Sequence, residues 1–438
     1  MSAFILSLSA ASVNRRVGAY APKRISDKVK SRLQILFGKD ILEKNASAFS
    51  SGRFAEKLHF LRKEEYPMNS AFDTYFTGLK NKKIAVLGLG VSNRPLVRLL
   101  LEYGCNVVGC DRTPREKLDA EVLELEAMGC RLHVGDGYLD DVEADILFRT
   151  PGMHPNNPAI ETLRSRGAEV TSEMEAFFEV CPCPIIGVTG SDGKTTTSSI
   201  IAELLKAAGR RVHLGGNIGK PLLCEIPDFQ PDDIAVLELS SFQLHSINIR
   251  PDVAVITNVS PNHLDKHPDF DDYVNAKRQI FANQTADDVL VVNRDNAYTA
   301  RFGEEAKSRV LYFSRKETLS DGVFCRNGMI YKSHGYEVES IIPESEILLP
   351  GVHNVENYMA AFAAVDGVVS PEMCRAVART YGGVTHRLEL IRKLNGVSYI
   401  NDSIATSPTR TIAGLRAMRA KPILIAGGHD KHVSFDGL

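Results

Sequence analysis

One stretch limits the possible folds more than any other. The apolar run Pro184-Ile185-Ile186-Gly187-Val188-Thr189 breaks at Gly190-Ser191-Asp192-Gly193 and resumes as Lys194-Thr195-Thr196-Thr197, leading into an apolar-periodic segment that reaches Leu205. A β-branched run, a glycine-rich turn and a helix in direct succession aim the backbone N–H groups of the turn and of the helix N-terminus at an anion. Lys194 adds a mobile cation for β- and γ-phosphates, and the Thr195 hydroxyl suits a Mg²⁺ ion bridging them. Val188 stands where the general phosphate-loop pattern has its first glycine, so the match is to a variant, T-G-S-D-G-K-T.

At 438 residues the chain exceeds what one core can hold and implies about three domains. A net charge of -2 gives no reason to expect nucleic acid, but residues 1–67 carry 13 Lys+Arg against 6 Asp+Glu. Such a basic segment, with weak helical pattern around Val29 to Phe37 and Phe54 to Leu61, reads as a poorly ordered extension. No apolar run reaches the roughly 18 residues that span a bilayer. The apolar opening Met1 to Ala11 is followed rather than preceded by basic residues, which argues against a signal peptide. Eight cysteines without a C-x-x-C pair read as reduced thiols of a cytoplasmic protein.

Residues 68–183 read as a first α/β domain. Ile84-Ala85-Val86-Leu87 runs into Gly88-Leu89-Gly90, a helix through Leu100, and a second strand ending in Asp111, an arrangement that puts a nucleotide over the first turn. Asn93 at the third fingerprint position weakens a nicotinamide dinucleotide reading. Residues 184–383 form a central domain. Its strand Ile234 to Leu239 is apolar except for Glu238, whose burial demands a partner: the magnesium of the phosphate loop, or a salt bridge at the strand end. Val253 to Val259 empties into Ser260-Pro261-Asn262-His263-Leu264-Asp265, which puts His263 on the same sheet edge. A helix over Asp272 to Phe281 turns Tyr273, Val274, Lys277, Ile280 and Phe281 inward. Lys277 then either snorkels out or belongs to the site. Asn354 and Asn357, three apart on an alanine-rich helix, suit a purine edge or a helix cap.

Together T-G-S-D-G-K-T-T at 189–196, G-G-N-I-G at 215–219, E-L-S-S-F-Q-L at 238–244, N-V-S-P-N-H-L-D at 258–265, A-K-R at 276–278, H-N-V-E-N at 353–357, H-R-L-E at 386–389, N-D-S at 401–403 and G-G-H-D-K at 427–431 resemble the Mur ligase family, from about residue 70 to 438. The resemblance implies a Rossmann-like N-terminal domain for a UDP-sugar, a central P-loop ATPase-type α/β domain, and, over 384–438, an incomplete Rossmann-like C-terminal domain that binds an amino acid. It implies a cytoplasmic, monomeric ATP-dependent ligase of peptidoglycan precursor synthesis acting without membrane or nucleic acid. The expected substrates are UDP-N-acetylmuramoyl-L-alanine, D-glutamate and ATP, joined through an acyl phosphate.

Carried over residue by residue, the resemblance puts ATP phosphates on Gly190, Ser191, Asp192, Gly193, Lys194, Thr195 and Thr196, adenine near Asn354 and Asn357, and ribose near Arg387 and Asp402. Thr195 and Glu238 would hold one Mg²⁺, and His263 would help hold a second beside a carbamylated Lys277. Gly88, Ser92, Asp111, Arg112, Gly152 and Asn217 would bind the UDP-sugar, and Thr406 and Lys431 the amine substrate. Ile404 stands where many members carry a lysine, and further amine-site groups are expected beyond Leu438. The rival expectations are a nucleotide-binding chain without ligase activity and a folylpolyglutamate-type ligase.

Overall fold

The computed structural model of the chain describes residues 2–8, 70–245, 247–262, 267–405, 408–418, 420–427 and 438. They form two compact units, Met1–Arg62 with Leu390–Leu438, and Lys63–Glu389. Strand β1 (Ser2–Leu8) belongs to the first, and helix α1 (Ser70–Gly78) opens the described part of the second.

The larger unit begins as an alternation: β2 (Lys83–Leu87), α2 (Asn93–Glu102), β3 (Asn106–Asp111), α3 (Ala120–Ala127), β4 (Arg131–Val134), β5 (Ile146–Phe148), α4 (Pro158–Ser165), β6 (Glu169–Thr171) and α5 (Glu173–Val180). These strands form a parallel sheet in the order β4-β3-β2-β5-β6. The order reverses at β2, so the loop that follows it opens a crevice at the strand ends. Asn93 explains the irregular glycine fingerprint. Its amide donates to the carbonyls of Leu87 (3.1 Å) and Gly88 (2.9 Å), tying the start of α2 back to the end of β2.

A second alternation follows: β7 (Ile185–Thr189), α6 (Lys194–Ala207), β8 (Val212–Gly216), β9 (Ile234–Glu238), α7 (Ser241–Leu244), β10 (Val253–Ile256), α8 (Phe270–Ala282), β11 (Val289–Asn293), α9 (Ala297–Glu305) and β12 (Arg309–Ser314). Then come β13 (Asp321–Arg326), β14 (Met329–His334), β15 (Glu337–Pro343), α10 (Val352–Ala364) and α11 (Pro371–Thr380). The nine-stranded sheet has the order β15-β14-β13-β12-β11-β10-β7-β9-β8. It is parallel from β8 to β13, and β14 and β15 close it as antiparallel strands. Every residue of β7, β9, β10 and β11 is buried, which is why these strands read as unbroken apolar runs. This sheet reverses its order at β7, and the phosphate loop sits at that switch point.

In the smaller unit β16 (Glu389–Leu394), β17 (Val397–Asp402), α12 (Pro408–Arg416) and β18 (Pro422–Gly427) join β1 in a sheet of order β16-β17-β1-β18. The expectation of a poorly ordered extension is corrected at Ser2–Leu8. That strand lies antiparallel to both neighbours, with Phe4 opposite Asn401 on one side and Ile425 on the other. A β-prone segment there satisfies two strand edges that would otherwise leave ladder groups unpaired. The helical patterns around Val29 and Phe54 lie outside the described residues.

One buried apolar cluster runs through both sheets of the larger unit, from Phe72 on α1 to Phe302 on α9. Phe177 on α5, 1% exposed, meets Phe229 edge-on at 6.1 Å and so couples the five-stranded layer to the nine-stranded one. Phe177→Ala should therefore destabilise the larger unit by about 3–5 kcal/mol, read as a lowered urea midpoint with nucleotide absent. An unchanged midpoint would show that the two layers do not depend on this contact.

Candidate active site

The site is built on the loop between β7 and α6. Gly190 (φ +148°) and Gly193 (φ +83°) both occupy backbone conformations that side chains disfavour. A Cβ on Gly190 would collide with Thr257 Oγ1, and one on Gly193 with Asn357 Oδ1. The spacing of the two glycines therefore follows from close packing beneath the loop. No side chain caps α6 at Gly193, so its first turn presents backbone N–H groups to an anion. Val188 needs no glycine because it is an ordinary buried strand residue, paired in register with Glu238.

The loop is held from β10 and α8. Ser191 Oγ donates to the Ser260 carbonyl (3.0 Å) and accepts from Ser260 N–H (2.9 Å) and Tyr273 OH (2.9 Å), while Ser191 N–H donates to the Asn258 carbonyl (2.9 Å). Asp192 N–H donates to Asn258 Oδ1 (3.1 Å), and the Asp192 carbonyl accepts from Thr257 Oγ1 (2.6 Å) and Asn258 Nδ2 (3.2 Å). Ser191 thus anchors the loop. Lys194 Nζ folds back on the carbonyls of Gly190 (2.8 Å) and Ser191 (3.1 Å), a position from which a flexible stem can swing to a phosphate.

Glu238 ends β9, 2% exposed. Thr195 Oγ1 donates to its Oε2 at 2.6 Å and Asn217 Nδ2 to its Oε1 at 2.9 Å, and among the described residues no cation pairs with it. The strand-end salt bridge is thereby set aside. Two adjacent oxygen ligands, one from a buried carboxylate in no ion pair among the described residues, fit a hard cation such as Mg²⁺.

Lys277 does not snorkel. It is 1% exposed on α8, donates to the Gly190 carbonyl at 2.8 Å, and stands 4.5 Å from the centroid of the Tyr273 ring. Burial, reinforced by the nearby Lys194 charge and opposed by Asp192 and Glu238, depresses its amine well below the ordinary lysine value. The helix runs slightly beyond the sequence expectation, from Phe270 with Asp269 as its cap, and Ala276 rather than Val274 completes the buried face.

The amides of α10 prove to be internal ties. Asn354 donates to the Pro350 carbonyl (2.7 Å), Asn357 donates to Asn354 Oδ1 (3.1 Å), and Thr197 Oγ1 donates to Asn357 Oδ1 (3.2 Å). The cap position itself is Gly351, without a capping side chain. Thr196 is buried in the first turn of α6. Asp402 lies buried at the end of β17 in the smaller unit, and Arg387 follows α11 in the larger. His263, Thr406 and Lys431 lie outside the described residues.

In the first layer Gly88 and Ser92 follow β2, with Ser92 exposed at the start of α2. The carboxylate of Asp111 accepts from Leu89 N–H (2.7 Å) and Thr113 N–H (2.9 Å). Burial alone would raise its pKa, but those two bonds, with the Thr113 hydroxyl and the Arg112 charge, outweigh it and hold the group below the usual value. Arg112 is exposed beside it, and no atom lies near a side chain added at Gly152. A cleft between the two layers is lined by Ser92, Asn93, Arg149, Glu173, Gly216 and Gln243 among others. Sequence reading missed Arg149, Glu173 and Gln243 as cleft residues. A buried arginine or glutamate among apolar neighbours was the available signal. The Arg149 guanidinium donates to the carbonyls of Met153 (2.8 Å) and His245 (2.9 Å), and burial pushes the Glu173 carboxyl up to about 7.

With known proteins, residues 188–365 match the Mur ligase middle domain. A protein of Acetivibrio thermocellus named "UDP-N-acetylmuramoylalanine--D-glutamate ligase" is 50% identical over 372 residues, 85% of this chain and 80% of that protein. Proteins of the same name from Ruminiclostridium cellulolyticum and Clostridium novyi are each 46% identical over the same shares.

Glu173 yields a pH test. Its folded-state value, about 7, lies above the ordinary 4.5, so the folded chain keeps a proton that the unfolded chain has released. Stability should fall by about 3 kcal/mol as pH rises from 4.5 to 7 through this group. In Glu173→Gln, measured by denaturant unfolding across that range, the decline should flatten; an unaltered pH slope would remove Glu173 as its source.

Proposed function

We propose a function on one premise: the chain belongs to the Mur ligase family, among the UDP-N-acetylmuramoylalanine--D-glutamate ligases. It is an ATP-dependent ligase of peptidoglycan precursor synthesis that joins D-glutamate to the alanine carboxylate of UDP-N-acetylmuramoyl-L-alanine. The observation that carries the reading is the convergence, at the switch point of the nine-stranded sheet, of a phosphate loop, a buried carboxylate beside a threonine hydroxyl, and a buried lysine. The 50% identical relative favours this reaction over a folylpolyglutamate-type one. We assign it to the cytoplasm, where ATP is available, and to a single chain acting without membrane or nucleic acid.

A carboxylate resists attack by an amine until one of its oxygens becomes part of a leaving group. The alanine carboxylate oxygen attacks the γ-phosphorus, the bond to the ADP oxygen breaks, and an acyl phosphate forms. The amine of D-glutamate then attacks the acyl carbon, phosphate departs, and the nitrogen loses a proton. Gly190 through Thr196 cradle the phosphates, chiefly through the N–H groups that open α6, and Lys194 leaves the loop carbonyls for the transferring group. Thr195 and Glu238 would hold one magnesium ion, and His263 with Lys277 a second. Bound magnesium supplies charge neutralisation on the phosphates.

Lys277 has a chemical reason to be carbamylated. Only a neutral amine adds to carbon dioxide, forming an N–C bond as its proton leaves, and burial favours the neutral amine. The product is an anion suited to a position near Lys194 and metal. Residues 68–183 are assigned to the UDP-sugar, with Gly88, Ser92, Asp111, Arg112, Gly152 and Asn217 as its contacts, and residues 184–383 to ATP. Arg387 is assigned to the nucleotide, and Asn354 and Asn357 to the adenine side. Residues 384–438 are assigned to the amino acid.

Lys194→Ala and Glu238→Ala should each lower turnover at least about 1,000-fold, since each removes charge stabilisation of phosphoryl transfer. The assay follows phosphate release and radiolabelled D-glutamate incorporation together; near-normal turnover in either variant removes that residue from the site. Lys277→Ala should be severely impaired and partly rescued by formate or acetate, whose carboxylate fits the space of a carbamate. In the unaltered chain, isotope-labelled bicarbonate should give a carbamate NMR signal that Lys277→Ala lacks, and its absence from both would sink the carbamate.

A further inference from the structure

Away from the phosphate loop, three side chains with metal-ligating atoms converge. His154 lies on the loop after β5, His245 follows α7, and Asp272 stands in the first turn of α8; one ligand atom from each lies within 4.8 Å of the others. His245 Nε2 is 2.8 Å from Asp272 Oδ1, His154 Nε2 is 3.9 Å from Asp272 Oδ2, and the two imidazole centroids are 4.4 Å apart. We propose that His154, His245 and Asp272 form a binding site for a divalent transition-metal ion such as Zn²⁺, distinct from the oxygen-only Thr195–Glu238 pair.

Ligand spacing supports the assignment. Around a tetrahedral ion with bonds of about 2.0 Å, neighbouring ligand atoms stand about 3.3 Å apart; each imidazole lies within about 0.6 Å of that spacing from one carboxylate oxygen, His245 at 2.8 Å from Oδ1 and His154 at 3.9 Å from Oδ2. His154 Nε2 is buried and lacks a hydrogen-bond partner among the described residues, an orphan that a metal bond would satisfy. Ligation at Nε2 shifts the ring proton to Nδ1 and gives up the 3.2 Å bond that Nδ1 accepts from Asn156 N–H. That bond is long, and its loss is small beside two imidazole–metal bonds.

The surroundings are built as an outer shell for such a site. His267, 3% exposed, places Nδ1 at 2.6 Å from Asp272 Oδ2 and Nε2 at 3.0 Å from Ser241 Oγ, which fixes the carboxylate. Arg149 ties both ligand-bearing segments together through the carbonyls of Met153 and His245. Two nitrogens and one oxygen select a borderline ion over Mg²⁺, which prefers oxygen. The ion would clamp the loop that follows β5 to α7 and α8, joining the two layers of the larger unit. Nothing in this depends on which ligase reaction the chain performs.

The test dialyses the chelator-treated full chain against micromolar zinc chloride in millimolar magnesium and excess ADP, which keeps the phosphate-loop site occupied. About one equivalent of zinc should be retained. His154→Ala and His245→Ala should each weaken its binding by more than the roughly 10–100-fold typical of losing an outer partner, while binding Mg-ADP as the unaltered chain does. Cobalt substituted for zinc should show the intense visible bands of a tetrahedral site. X-ray absorption of the zinc-loaded unaltered chain, which needs no variant to fold, should read imidazole nitrogens. No retained zinc, equal retention by both variants, or an all-oxygen zinc environment would overturn the proposal.

Discussion

The hydroxyl of Ser191 is where the larger unit is pinned together. It is 1% exposed and binds the Ser260 backbone and the Tyr273 hydroxyl at once, so the loop after β7, the loop after β10 and helix α8 share one buried atom. Such a node is costly to leave half-satisfied and rigid when complete. Its rigidity fixes the uncapped helix N-terminus to which the proposed function assigns the phosphates. It also sets Tyr273, and one turn along the same helix Lys277, against the underside of the loop.

Two groups that water would ionise are buried around this node, and they meet different fates. Glu238 is held by a hydroxyl and an amide, neutral donors that leave its charge to be met by a cation. Lys277 has a backbone carbonyl and an aromatic face, which cannot balance an ammonium. A site poised for metal and for carbamate is consistent with both. Neither residue could be kept buried for stability alone without a closer partner of opposite charge.

How much could be read from the chain itself depended on the range of the physics. The phosphate loop was legible because strand, turn and helix are local and because Gly190 and Gly193 announce positive φ. Buried strands such as β9 were legible from unbroken apolar runs, and Glu238 stood out against one. Asn93 looked like a defect in a fingerprint, since only the folded turn shows its amide closing onto the carbonyls of Leu87 and Gly88. Asn354 and Asn357 were legible as a pair on one helix face, but their ties to Pro350 and Thr197 were not. The strand Ser2–Leu8 was missed because its partners, β17 and β18, lie about four hundred residues away in sequence.

The sequence by itself determined the parallel α/β class, the succession of strand, glycine turn and helix beginning at β7, and the family. Those follow from local periodicity, from backbone conformations only glycine adopts readily, and from motifs in a fixed order. Tertiary structure alone decided whether Lys277 is buried or snorkels, since helix geometry puts it on the apolar face in either case and only packing against Gly190 and Tyr273 removes its route to water. It alone made a cleft from Arg149, Glu173 and Gln243, and brought His154, His245 and Asp272 within ligand reach. These groups come from segments far apart in the chain, and their proximity is set by how two sheets pack.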